Sequence, residues 1–133
     1  MTKDEWAQVE KELRIIWGTV RLDVDGYDIA LQLQQVRPTK NAIAIYIDGQ
    51  FKGKYLAEDC EERRRFVCKS TNNVLRGKQK TDFQKLPKKM QKDMEAKYPM
   101  TYDVYKTHWG SFGALKRHLV ANNQDIQLAS IGS

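Results

Sequence analysis

The chain has 133 residues, the length of one domain able to bury a sizeable core without disulfide or metal staples. Its net charge of +6 fits a polyanionic partner without requiring one. Its two cysteines, Cys60 and Cys68, cannot form a zinc site alone, and its two histidines, His108 and His118, lie far along the chain from them. No apolar stretch reaches the length of a signal or membrane segment, so the expectation is a cytoplasmic protein with reduced thiols and no membrane association.

The chain begins with the reciprocal spacing of a capping box, Thr2 with Glu5. Trp6, Val9, Leu13, Ile16 and Trp17 follow at three- and four-residue steps, which predicts a helix ending at Gly18. Its apolar stripe should bury Trp6, Leu13 and Ile16 against a sheet; the alternative is an exposed aromatic docking stripe.

The sheet is predicted over residues 19–55 as a four-stranded antiparallel meander. Val20, Leu22 and Val24 alternate with polar neighbours, as do Tyr27, Ile29, Leu31 and Leu33, then Ile43, Ile45 and Ile47. Asp25-Gly26 and Asp48-Gly49 should turn with positive φ. Pro38 interrupts the second run, because proline lacks the amide donor a ladder needs. The fourth strand is expected over residues 50–55.

Residues 56–69 read as a second helix, with Glu61 and Glu62 ahead of Arg63, Arg64 and Arg65, an order that suits the helix dipole. Leu56, Cys60 and Val67 would share its buried face. The arginine run reads as a solvated, ion-paired face or as a phosphate contact. Ser70, Thr71, Asn72 and Asn73 carry turn-forming side chains.

The charge concentrates next. Residues 72–98 hold eight Lys and Arg against three Asp and Glu, a net of +5. Pro87 should open a helix that Pro99 stops, with Met90, Met94 and Lys97 or Tyr98 beneath and Lys88, Lys89 and Lys92 toward solvent. Such a helix is either a charged solvated face or a nucleic-acid surface.

In the last third, Ser111 can cap a helix over residues 112–121 along Phe112, Leu115 and Leu119. If residues 101–108 were also helical, the pair would form a helix-turn-helix presenting Lys116, Arg117 and His118; a strand explains the alternation at Tyr102 and Val104 as well. Ile126 and Leu128 suggest a short edge strand, and residues 131–133 are expected to fray.

No catalytic constellation, cofactor motif or metal-ligand set emerges. Asp23, Asp25 and Asp28 cluster at a hairpin, where aspartate is common, and His108 has no identifiable nucleophile beside it. The segments around Asp25-Gly26-Tyr27-Asp28-Ile29 and residues 45–54, and around residues 109–119 with Asn122-Asn123, resemble small proteins encoded by bacteriophages and prophages. The resemblance implies a phage source, hence the host cytoplasm, and no particular activity. Small phage proteins are often nucleic-acid accessories or inhibitors of host defence systems, and both act by binding.

The sequence therefore predicts a single α+β domain in which an N-terminal helix and a C-terminal helical region cover a four-stranded meander. It is read as a non-catalytic binding protein. Its candidate contacts to nucleic acid or to a host protein or ribonucleoprotein complex are Arg76, Lys78, Lys80, Lys85, Lys88, Lys89, Lys92, Lys116 and Arg117.

Overall fold

A computed structural model describes residues 1–132, an α+β chain of six helices and two antiparallel sheets. The chain divides into two compact units, residues 1–68 with the segment from Tyr105 onward, and Lys69–Val104.

The first unit starts with α1 (Lys3–Glu12), closed by the capping box: the Glu5 amide donates to Thr2 Oγ1 at 3.2 Å and the Thr2 amide to Glu5 Oε1 at 3.0 Å. Trp6, Val9 and Leu13 are buried, but the helix stops six residues before Gly18, so Ile16 is exposed. The sheet takes the backbone that a longer helix would need. The Trp17 amide donates to the Leu33 carbonyl at 2.8 Å, and the Leu33 amide to the Gly18 carbonyl at 3.1 Å. Gly18 folds so tightly under the helix end that a Cβ would lie 2.2 Å from the Glu12 carbonyl oxygen.

Strands β1 (Thr19–Val24), β2 (Tyr27–Arg37) and β3 (Lys40–Ile47) form the predicted meander. The Asp-Gly turns have positive φ at both positions, 48° and 89° at Asp25-Gly26, 52° and 83° at Asp48-Gly49, as the primed hairpin turns require. Antiparallel register sets Leu22 opposite Ile29 and Leu31 opposite Ile45, so the alternating aliphatic residues share one face and are buried.

The fourth predicted strand does not form. After Gly49 only Gln50 bridges back to Ile47; the chain then enters the short helix α2 (Lys54–Ala57), where Tyr55 is buried edge-on to Phe51 at 5.4 Å. The free edge of β3 goes instead to a two-residue strand, His108–Trp109, whose indole is buried with its N–H donating to the Phe66 carbonyl at 3.0 Å.

The predicted helix over residues 56–69 is also broken. Cys60 is extended, α3 covers only Glu61–Phe66, and Val67 is extended again. The break buries the consecutive Phe66 and Val67 completely, which a continuous helix would splay about 100° apart; Leu56 remains exposed and Cys60 half-buried. Residues 70–73, read as a turn, lie in β4 (Cys68–Asn73).

The second unit holds most of β4 and of β5 (Thr101–Lys106), which pair, with α4 (Lys78–Gln84) and α5 (Lys88–Lys97) between them. The Thr71 hydroxyl donates to Asp103 at 2.9 Å across this ladder. Because residues 101–106 are a strand, the helix-turn-helix reading does not hold. Pro87 is the N-cap of α5 rather than a residue of its first turn, and the helix ends at Lys97, with Tyr98 extended before Pro99. Its expected apolar underside is not covered: Met94 is half-buried, while Met90 and Tyr98 are exposed.

Back in the first unit, β6 (His108–Trp109) leads to α6 (Phe112–Asn122), with the Ser111 hydroxyl accepting from the Ala114 amide, and then to β7 (Ile126–Ile131). The sheet order is β6-β3-β2-β1-β7, five strands rather than four, with α1, α3 and α6 contributing to its core. The predicted fraying does not extend to Ile131, which pairs with Val20, or to Gly132, whose amide donates to the Thr19 carbonyl at 2.8 Å; Ser133 lies outside the described residues. Among the described residues, no helix is long and apolar enough to cross a membrane.

Candidate nucleic-acid interface

Between Lys69 and Val104 nine Lys and Arg stand against four Asp and Glu, a net of +5; the rest of the chain holds fourteen against thirteen. Among the described residues, none of Arg76, Lys78, Lys80, Lys85, Lys88, Lys89 and Lys92 lies within salt-bridge distance of a carboxylate, and all are exposed. The one ion pair inside this unit joins Lys69 to Asp103 at 3.4 Å.

Helical spacing brings only some of these cations together. Lys88, Lys89 and Lys92 fall within about 100° of one another around α5, on the side away from Met94. Lys78 and Lys80 diverge around α4. Lys80 lines a cavity of about 260 Å³ with Asn73, Leu75, Phe83, Gln91 and Glu95, and Gln91 fixes the α4–α5 turn by donating to the Leu86 carbonyl at 2.8 Å. Arg76 donates to the Tyr102 hydroxyl at 3.1 Å. Lys116 and Arg117 lie on α6 in the first unit: Lys116 is half-buried with its ammonium 5.4 Å from the Trp6 ring, and Arg117 is exposed.

The arginine run is structural in large part. Arg64 pairs with Asp59 at 2.9 Å, Arg65 bridges Asp25 at 2.8 Å and Glu61 at 2.7 Å, and the Arg63 guanidinium lies 3.3 Å from the centre of the Tyr105 ring. Asp25 is a hydrogen-bonding hub. Its oxygens accept from the Gln124 and Asp125 amides at 2.9 and 2.7 Å, and these bonds, with Arg65, hold its carboxyl below its ordinary pKa.

Both histidines are engaged. Gln34 Oε1 lies 3.0 Å from His108 Nε2, so an amide oxygen accepts there and the ring proton sits on Nε2; Nδ1 then accepts from the Thr107 hydroxyl at 2.7 Å. His118 Nε2 donates to the Arg64 carbonyl at 2.9 Å, and its ring lies 5.1 Å from that of Trp109. Burial pushes both pKa values below the ordinary 6.5, at His118 against the carbonyl, which favours the charged form. Among the described residues, no three metal-ligating side chains come together.

Two surface features escape the sequence. A cavity of about 330 Å³ beside β3 is lined by Val36, Arg37, Lys40, Cys68, Lys106 and His108, among others. Arg37 and Lys40 flank the β2–β3 turn, but Lys106 comes sixty-six positions after Lys40, so only the return of the chain at the end of β5 brings it to them. The second feature is the turn after α1, where Ile15, Ile16 and Trp17 are 53%, 43% and 57% exposed and Trp17 holds φ at 65°. The early end of α1 creates it. No family model, no curated protein and no solved structure matches the chain.

Proposed function

We propose that this chain is a non-catalytic binding protein that holds nucleic acid through the lysine surface of residues 69–104. The supporting observation is the absence of carboxylate partners for seven cations in a unit of net charge +5. Such cations are matched to phosphates by exchange with condensed counterions, so binding would be strong at low salt and indifferent to sequence. The Lys88, Lys89 and Lys92 arc supplies the contiguous patch; Lys116 and Arg117 are auxiliary candidates at a separate place. With its resemblance to phage-encoded proteins, the chain would act in the cytoplasm of a bacterial host.

Changing Lys85, Lys88, Lys89 and Lys92 together to glutamine tests this directly. Affinity for all sequences should fall alike, and the logarithmic salt slope on duplex DNA should become shallower by about one unit per phosphate contact removed. Unchanged affinity and slope would defeat the reading.

A second reading, inhibition of a host defence complex by protein–protein binding, is favoured by the exposed Ile15-Ile16-Trp17 turn. A large aromatic held outward on a left-handed backbone, which costs about 1 kcal/mol or more, suits an anchor for a partner's apolar pocket. A bacterial-lysate complex that survives nuclease and is lost on Trp17→Ser, with the lysine variant unaffected, would select it.

A further inference from the structure

We propose that the first unit carries an anion site of its own, the groove beside β3 formed by Arg37, Lys40 and Lys106, and that it takes a phosphoryl group.

Arg37 and Lys40 are directly opposed partners where the β2–β3 hairpin closes, and like charges in that position destabilise a ladder. Lys106 lines the same groove, which contains no Asp or Glu. Among the described residues, none of the three lies within salt-bridge distance of a carboxylate. Elsewhere in this unit Arg14, Arg21, Arg64 and Arg65 each meet one at 2.7–3.3 Å. Three cations therefore line one groove that offers no acidic side chain to offset them. A dianionic phosphoryl group would remove the repulsion, with the Arg37 guanidinium able to engage two of its oxygens.

The walls fit a group of that size. Ala42 and Gly110 are small, and the cavity, about 330 Å³, has room for a phosphate and part of what it is attached to. β6 pairs only with Ile43 and Ala44, so among the described residues the outer edge of β3 before Ile43 has no ladder partner and its backbone borders the groove. The His108 ring is locked between Thr107 and Gln34 and shapes the wall without adding charge. Free phosphate, a nucleotide and a nucleic-acid backbone share the chemistry that these cations recognise. The site does not depend on the lysine surface of residues 69–104.

Amide chemical shifts of the full chain, followed by NMR at constant ionic strength, test the site with inorganic phosphate, adenosine monophosphate and a short single-stranded oligonucleotide. Saturable shifts at residues 37–42 and 106–110 with a phosphoryl probe are expected, weakened about tenfold or more in Arg37→Gln/Lys106→Gln, whose remaining spectrum reports an intact fold. Displacement of phosphate from these residues by the oligonucleotide would identify a nucleic-acid backbone as the source; saturation by the small probes without displacement would identify a free phosphate or nucleotide. Shifts confined to the lysines of residues 78–92, shifts that never saturate, or shifts unchanged in the double variant would overturn the proposal. Because the two surfaces report through different amides, loss of the lysine reading and loss of this site are distinguishable.

Discussion

The two units differ in burial and in charge balance, a net of +1 in the first and +5 in the second. In the first, an aliphatic sheet face and the helices that cover it exclude water from Leu22, Ile29, Leu31, Ile45 and Phe66, and four arginines are tied to carboxylates around that core. In the second, no side chain is buried and, among the described residues, only Lys69 has an acidic partner. Paired charge at the margin of a core organises structure, whereas unpaired charge on a thin ladder-and-helix unit is available to a ligand. The difference makes the second unit the more plastic surface and the first the scaffold.

Core truncation gives the sharpest separation. Phe66→Ala should cost about 3–5 kcal/mol and Leu22→Ala about 2–5, because each leaves a cavity in a fully buried position. Leu86→Ala, at a half-buried position of the second unit, should cost less than about 1 kcal/mol. Urea midpoints measure this, and tryptophan fluorescence reports the first unit, since Trp6, Trp17 and Trp109 all lie there. Equal losses at Phe66 and Leu86 would erase the contrast. Hydrogen exchange complements it: the amides of α4 and α5 should exchange through local opening well before those of β1–β3. The sequence-based expectation of one cooperative domain requires, in addition, that urea unfold both units together.

The same contrast explains what could be read from the sequence. The capping box at Thr2, the Asp-Gly turns and the alternation from Val20 to Ile47 are local signals, and the structure follows them. The failures are contests settled by distant partners. Residues 50–55 have a strand-like pattern, yet Trp109 takes the β3 edge opposite Ile43, sixty-six positions earlier in the chain. Ile16 continues a helical period, but the backbone at Trp17 and Gly18 is drawn into bonds with Leu33. Accordingly Leu13→Ala should cost about 2–5 kcal/mol, whereas Ile16→Ala should stay within about 0.5. For the candidate interface, lysine density was legible; which cations lack partners was not, because pairing depends on tertiary placement.

Acidification should act on the first unit, which holds both histidines. Burial depresses the folded-state pKa of His108 and His118 below 6.5, so the unfolded chain takes up protons first as pH falls. Their contribution is whole above the unfolded value and is lost as pH drops through the depressed folded values. The lowered carboxyls of Asp25 and Asp59 act in the same direction, but only nearer their ordinary value of 3.8. Thermal midpoints should therefore begin to fall between about pH 6.5 and 5, before carboxylate protonation contributes. His118→Gln should reduce that early slope; an unchanged slope would mean the ring is not held neutral by its surroundings.

The smallest expected effect falls on the lysines themselves, and it bears most directly on their function. Lys88 and Lys92 are exposed on α5 and, among the described residues, have no carboxylate within ion-pair distance, so glutamine removes mutual repulsion and leaves no buried group unsatisfied. Helix propensity is nearly equal for the two residues. Lys88→Gln/Lys92→Gln should therefore shift stability by no more than about 0.5 kcal/mol in either direction. Arg65→Gln, by contrast, breaks bonds to Asp25, Glu61 and Asn123 at once and should lower the unfolding midpoint measurably. If the lysine variant loses affinity for nucleic acid at unchanged stability, the loss belongs to the contact and not to the fold. A lysine variant as destabilised as Arg65→Gln would instead show that charges of the second unit support structure, and the division between the units would fail where the proposed function depends on it.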